Sequence, residues 1–289
     1  MVKARKPEIL LVGAASAPKA RKQSKKEPIL LVGAGRMGSA LLQGWLKHAA
    51  GAVTAVEPKP SPALKALGRK KKIRLLHTLP VGKFVACVVA IKPQVLKEEA
   101  PLLAGIAEAG ALMISIAAGT DTGLLSKAWG GKARIIRAMP NTPGAIGKGI
   151  TGLYAGTGAT AADRKRAEAL LSALGETVWV AKEELIDSVT AVSGSGPAYL
   201  FLMAEALAEA GAAEGLPRAL AEKLARATVS GAGALLAADK SSASALREAV
   251  TSPGGTTAAA LSVLMAEDGL RPLIKRAVHA ARKRAEALR

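Results

Sequence analysis

From Pro28 onward, short apolar runs alternate with stretches of helical spacing. Ile29–Val32, Val53–Val56, Phe84–Ile91, Leu112–Ile116 and Arg134–Arg137 read as strands, being short aliphatic runs bounded by polar or turn-forming residues. Ser39–Lys47 and Ser61–Leu67 read as helices between them. Strands alternating with helices at this interval predict a parallel, doubly wound sheet. Gly149–Ala155 and Thr177–Val180 add two later strands. After about residue 182 the strand signal stops, and Leu200–Ala213, Arg218–Ala237, Thr257–Ala266 and Arg271–Leu288 carry helix-forming Ala, Leu, Glu, Lys and Arg. Pro217 suits a first helical position. In the last segment Ile274, Val278, Ala281, Ala285 and Leu288 fall on one face, with basic residues opposite. The expected fold class is α/β, a doubly wound parallel sheet over 28–181 followed by an all-helical part over 182–289.

Residues 1–27 stand outside this pattern. EILLVGAA (8–15) echoes PILLVGAG (28–35), but the first copy lacks the second glycine and runs into Ala17-Pro18 and a lysine-rich stretch. A disordered basic extension is expected there, with a cleaved targeting peptide as the alternative. The whole chain sets 41 Lys and Arg against 22 Asp and Glu, a net charge of +19, of which 1–27 carries +6. Arg69, Lys70, Lys71, Lys72 and Arg74 form a second basic cluster, and 271–289 holds a third. With only two Phe, two Tyr and three Trp, base-stacking platforms are almost absent, so a nucleic-acid role would rest on charge alone. Basic stretches are ordinarily solvated faces or tails, and nucleic acid is not an expected partner.

Half of the residues are apolar, which excludes a disordered chain, yet every long uncharged run is broken by Ser, Thr, Gly or Pro. No membrane partner is therefore expected. The single cysteine, Cys87 in FVACVV, excludes a disulfide framework and a cysteine zinc site, and reads as a small core hydrophobe. No metal site is expected.

The chemistry sits in loops. Gly33-x-Gly35-x-x-Gly38, with Arg36 and Met37 inside it, follows the strand ILLV and opens a helix. The first glycine permits a tight turn, the second lets a pyrophosphate approach the backbone, and the third lets helix pack on strand. The helix N-terminus then faces the phosphates with free N–H groups. This arrangement makes the first part a Rossmann-type dinucleotide-binding domain, the alternative being a tight turn with no ligand. Glu57 ends the second strand, where a carboxylate can hydrogen-bond an adenosine ribose. The same charge would oppose a 2′-phosphate, although Lys59 and Arg69 could offset it. NADH and NADPH both stay open, as does a plain exposed strand end.

AIKPQ (90–94) places Ala90, Lys92 and Pro93 at the C-terminal edge of another strand, where open α/β sheets bind ligands. Lys92 either helps to hold the dinucleotide or is merely solvated. RAMPNTPG (137–144) is a proline-fixed loop that would lie over the nicotinamide or serve as a connection. SGSGPAY (193–199) and TSPGGTT (251–257) feed helices of the second part. In the latter, Thr256 and Thr257 put hydroxyl and N–H groups at a helix start, as a carboxylate site or as simple capping.

In order and spacing, GAGRMG, AIKPQ, SIAAGT, RAMPNTPG, SGSGPAY, GLPRALA and SPGGTT resemble pyrroline-5-carboxylate reductase, from about Pro28 to the C-terminus. The resemblance implies reduction of 1-pyrroline-5-carboxylate to L-proline in the cytoplasm. It also implies that the helical part is a dimerisation domain giving a homodimer, and in many members a decamer of five dimers. It implies that Gly33–Gly38 and Ala90–Pro93 hold NADPH or NADH, with Asn141 and Pro143 near the nicotinamide. It further implies that Ser252 and the N–H groups of Gly255, Thr256 and Thr257 take the substrate carboxylate, and that Thr257 is the catalytic residue, hydrogen-bonding the ring nitrogen at a dimer interface. The duplicated N-terminal segment and the Lys-rich 69–74 stretch are not part of the family pattern.

Reduction of a cyclic imine needs orientation more than a strong acid, which agrees with His48, His77 and His279 lying outside every motif. A hydroxyacid dehydrogenase of the same build would need a stronger acid/base, commonly a Lys on the first long helix of the second part, but 197–213 contains no Lys. A non-enzymatic nucleotide-binding module recruited to nucleic acid by its basic segments is the remaining alternative.

Overall fold

The computed structural model of the chain describes residues 28–48 and 51–289. The basic extension expected over 1–27 lies outside the described residues. Two compact units emerge, one comprising residues up to Gly194 together with Arg284–Arg289, the other Ser195–Lys283.

The first unit is built on eight strands: β1 (Pro28–Val32), β2 (Ala52–Val56), β3 (Arg74–Leu76), β4 (Ala86–Val89), β5 (Leu112–Ser115), β6 (Arg134–Met139), β7 (Gly149–Ala155) and β8 (Gly175–Trp179). They form one sheet in the order β3-β2-β1-β4-β5-β6-β7-β8. Successive residues of a strand point to opposite faces. Ile29 and Leu31 of β1 therefore enter one apolar cluster with Val88 and Ile114, while Leu30 and Val32 enter the other with Cys87 and Met113. Helices cover both faces: α1 (Arg36–His48), α2 (Pro62–Arg69), α3 (Pro93–Glu99), α4 (Ala104–Glu108), α5 (Thr122–Trp129), α6 (Ala161–Leu171) and α7 (Leu185–Val189). Trp45 of α1 and Trp129 of α5 anchor opposite clusters, and each buried indole N–H finds a carbonyl, Leu170 O at 2.7 Å and Ala100 O at 2.9 Å.

Two features depart from the pattern of hydrophobicity. β3 pairs with β2 as an extra edge strand, although only Leu75 and Leu76 mark it between Arg74 and His77. β7 runs antiparallel to β6, a correction to the wholly parallel sheet. Residues 140–148 contain only a single 3-10 turn (Thr142–Ile146), too short a link for the crossover that parallel strands need. Beside that junction Arg137, 1% exposed, is held by Glu183 at 3.1 Å and Asp187 at 3.5 Å, and Arg289 reaches Asp187 at 3.1 Å. Removing any one of these partners would leave an uncompensated buried charge, which is more costly than the pair.

The second unit contains α8 (Gly196–Ala213), α9 (Arg218–Ala238), α10 (Ala243–Ala249), α11 (Thr256–Leu264) and most of α12 (Leu270–Glu286). α8 and α9 pack along small residues, with Ala208, Ala221 and Ala225 buried. Large apolar side chains stay exposed in this unit, among them Leu200, Phe201, Leu224, Val263 and Leu273. On α12, Val278 and Ala281 are half-buried and Ala285 is buried, whereas Ile274 is exposed.

α6 shows how polar burial is balanced. Burial alone would raise the Asp163 carboxyl, but the Thr160 N–H and hydroxyl and the Arg134 guanidinium at 2.6 Å together hold it below its ordinary value. A depressed folded-state value stabilises fully above the ordinary Asp range, and the effect is lost as pH falls through the folded value. Asp163→Asn is thus expected to cost about 1–3 kcal/mol at neutral pH. Urea unfolding should show that deficit shrinking below about pH 4; an equal deficit at both pH values would assign the effect to shape and not to charge.

Candidate active site

The glycines after β1 divide into two kinds. Gly33 has φ +88°, and a Cβ there would stand 2.7 Å from Ala90 O; one on Gly38 would stand 2.2 Å from Gly33 O. The chain's own packing requires both. Gly35 is different, because a Cβ built on it meets no heavy atom within 4 Å. Nothing in the described chain demands glycine at that position, which is what a turn kept clear for an outside group looks like. α1 begins at Arg36 with no acidic residue in its first turn, so the positive end of its dipole is left for an anion.

Glu57, ending β2, curls back onto this turn. Its Oε2 accepts the Ala34 N–H at 2.9 Å and its Oε1 the Lys59 N–H at 3.1 Å. A cleft of about 480 Å³ opens over the C-terminal ends of β1 to β4, lined by Gly33, Gly35, Glu57, Ala90 and Lys92. Leu79, Leu102 and Leu103 supply an apolar side to it. A mostly apolar cleft with a few placed polar groups suits an adenosine with its ribose and pyrophosphate. Glu99 also lines it; burial, then neighbouring Glu98, push its carboxyl above the ordinary value.

The structure thus gathers five of the sequence-derived cofactor residues. Others sit apart from the cleft. Arg36 is exposed, the Met37 side chain packs against the core, Gly38 lies under the turn, and Pro93 opens α3. Asn141 is buried, and its Oδ1 accepts the Ile150 N–H at 3.0 Å, fixing the 140–148 loop against β7. Sequence reasoning missed His77, Thr78 and the leucines of the cleft. Their signals were the Leu75–Leu76 pair and Pro93 as a first helical residue.

In the second unit the bend at 252–257 has a defined shape. The Gly255 N–H donates to Ser252 O at 3.0 Å across Pro253 and Gly254, and Gly254 has φ +69°. Proline followed by a residue of positive φ is a type II turn. Gly255 caps α11 with no side-chain hydrogen bond, so the first N–H groups, those of Thr256 and Thr257 included, lack an intrahelical partner. Ser252 is exposed and Thr257 half-buried at its mouth. A helix start with free donors, a positive dipole end and a hydroxyl beside it is chemically able to receive an anion.

SGSGPAY starts in a π-helical turn, Thr190–Gly194, and a Cβ on Gly194 would stand 2.7 Å from Met139 Cε at the end of β6. Burial pushes the Cys87 thiol well above its ordinary value, and the described residues hold no group of three or more potential metal ligands.

Comparison with known proteins covers up to about nine-tenths of the chain. The family model for pyrroline-5-carboxylate reductase dimerisation matches residues 183–288. The pyrroline-5-carboxylate reductase of Pseudomonas aeruginosa is 37% identical over 264 residues, covering 90% of this chain and 96% of that protein. That of Synechocystis is 45% identical over 201 residues, 70% of this chain and 74% of the relative. Among solved structures, a Coxiella burnetii pyrroline-5-carboxylate reductase superposes with a TM-score of 0.85 at 34% identity, covering 91% of this chain and 99% of that one. The Plasmodium falciparum enzyme with NADP bound gives 0.73 at 26% identity, over 91% and 98%. A sheet carrying a glycine turn kept clear for an outside group, a proline–glycine bend behind an uncapped helix, and identity of this extent agree: the chain belongs to the pyrroline-5-carboxylate reductase family.

Proposed function

We propose that the chain reduces 1-pyrroline-5-carboxylate to L-proline with NADPH or NADH, the part at 28–181 holding the dinucleotide and that at 182–289 the substrate. The observation that carries this reading is the uncapped start of α11 behind the Ser252–Gly255 turn, a receptor for a small carboxylate in a chain that also carries a dinucleotide turn. The dinucleotide fits that turn because Gly35 leaves room at the backbone and Glu57 offers acceptor positions beside it.

When bound, a reduced nicotinamide supplies hydride to the carbon of the substrate's C=N bond. The chain's own part is to hold and orient. Ser252 and the N–H groups of Thr256 and Thr257 fix the ring carboxylate, Gly255 contributing the turn that its own N–H closes on Ser252 O, and the Thr257 hydroxyl hydrogen-bonds the ring nitrogen. A threonine hydroxyl is a poor base near neutrality, so Thr257 positions the nitrogen and relays a proton to it from water. Gly33, Gly38, Arg36 and Met37 shape the phosphate turn, Ala90, Lys92 and Pro93 border it, and Asn141 stiffens the loop toward the nicotinamide.

The exposed apolar side chains of the second unit support a homodimer, since large apolar groups left exposed in this number are ordinarily covered by a partner. A decamer of five dimers, a cytoplasmic location and the lack of a nucleic-acid partner complete the reading. None of the described helices is long and apolar enough to cross a membrane.

The direct test is whether purified protein oxidises NADH or NADPH only when the imine is supplied. Activity on a 3-hydroxy acid with none on the imine would overturn the reading. Thr257→Ala is expected to lower kcat on the order of a hundredfold, with dinucleotide affinity unchanged and Thr257→Ser restoring much of the rate. Unchanged turnover in Thr257→Ala would remove that residue from the mechanism. Gly35→Val should unfold within about 0.5 kcal/mol of the parent while losing dinucleotide binding, and Gly38→Ala should lose both stability and binding. Tight dinucleotide binding by Gly35→Val would mean that the space beside Gly35 serves no ligand.

A further inference from the structure

We propose that Glu57 makes this enzyme select NADH over NADPH, because its carboxylate is locked at the ribose end of the cleft and takes up the backbone donor that a 2′-phosphate would need. The inference rests on the dinucleotide reading above and deepens it.

Glu57 is not a loose surface acid. The Ala34 N–H of the phosphate turn holds Oε2 at 2.9 Å and the Lys59 N–H holds Oε1 at 3.1 Å, so the charge is fixed against the nucleotide turn. An ionised carboxylate has about four acceptor positions. Two are used internally, leaving the others for the two hydroxyls of an adenosine ribose. A 2′-phosphate brought to the same place would set a dianion beside a fixed anion.

The backbone after β2 adds to this. Pro58 has no N–H, and that of Lys59 already serves Glu57, so the segment offers a phosphate no free donor at these positions. His77, also lining the cleft, lies with Nδ1 3.3 Å from Pro58 O. The cations are Lys59 and Lys92 in the cleft lining and Lys65 and Arg69 on the far side of His77, all exposed, where solvent screens their attraction. Fixed repulsion with weak, screened compensation gives discrimination by exclusion.

The test is equilibrium titration of the full-length chain with NADH and with NADPH, followed by nicotinamide fluorescence in the absence of imine. NADH is expected to bind at least about tenfold tighter. Glu57→Gln keeps an acceptor for the Ala34 N–H and removes the charge, so the affinity ratio should move toward NADPH by a similar factor. A merely structural role for Glu57 would change both affinities together and leave the ratio fixed. Equal or tighter NADPH binding by the unaltered chain, or an unmoved ratio in Glu57→Gln, overturns the proposal while leaving the reductase reading intact. Binding of neither dinucleotide overturns both.

Discussion

At the C-terminal end of β1 three backbone segments meet with no room for a β-carbon. Gly33 turns the chain against Ala90, and Gly38 brings α1 down onto the carbonyl of Gly33. The contact fixes where α1 begins, and therefore where its free N–H groups point. It also sets the turn at the height of Glu57, which reaches the Ala34 N–H from the end of β2. Cleft, dipole and carboxylate are consequences of one close approach of backbone to backbone.

A second constraint acts on the far side of the sheet. The link between β6 and β7 is too short for a crossover, so β7 reverses, and Asn141 staples the resulting loop through the Ile150 N–H. Beneath it, Arg137 is tied to Glu183 and Asp187, and Glu183 also accepts the Thr122 N–H and hydroxyl at 2.8 and 2.6 Å. Paired buried charge of this kind fixes geometry more than it adds stability. It holds β6, α5 and α7 in register around the loop that the reductase reading places toward the nicotinamide. The basic residues of the cluster at 69–74 are exposed and take no part in this network.

Much of the fold was legible because burial is two-sided in the sheet and the strands announce themselves as unbroken apolar runs, as ILLV and CVV do. β3 was not, because an edge strand of three residues with Arg74 at its head carries too little apolar signal. The reversal of β7 was hidden for another reason: direction is set by link length and loop closure, and periodicity is blind to both. In the site, the glycine spacing could be read from sequence, but the difference between Gly35 and its neighbours could not. It depends on Ala90 and Ile91, more than fifty positions away in the chain, standing over Gly33 and leaving Gly35 open. The leucines of the cleft look like ordinary core residues until α3 and the turn after it place them at its rim.

The bend at 252–257 carries the substrate half of the account, through a type II turn that delivers an uncapped helix start beside Thr257. The most direct measurement is a crystal structure of the protein with dinucleotide and a saturated five-membered ring carboxylate that mimics the product. The account predicts the carboxylate on the N–H groups of Thr256 and Thr257 with the ring nitrogen facing the Thr257 hydroxyl. A ring bound elsewhere, with that helix start closed and dry, would contradict it.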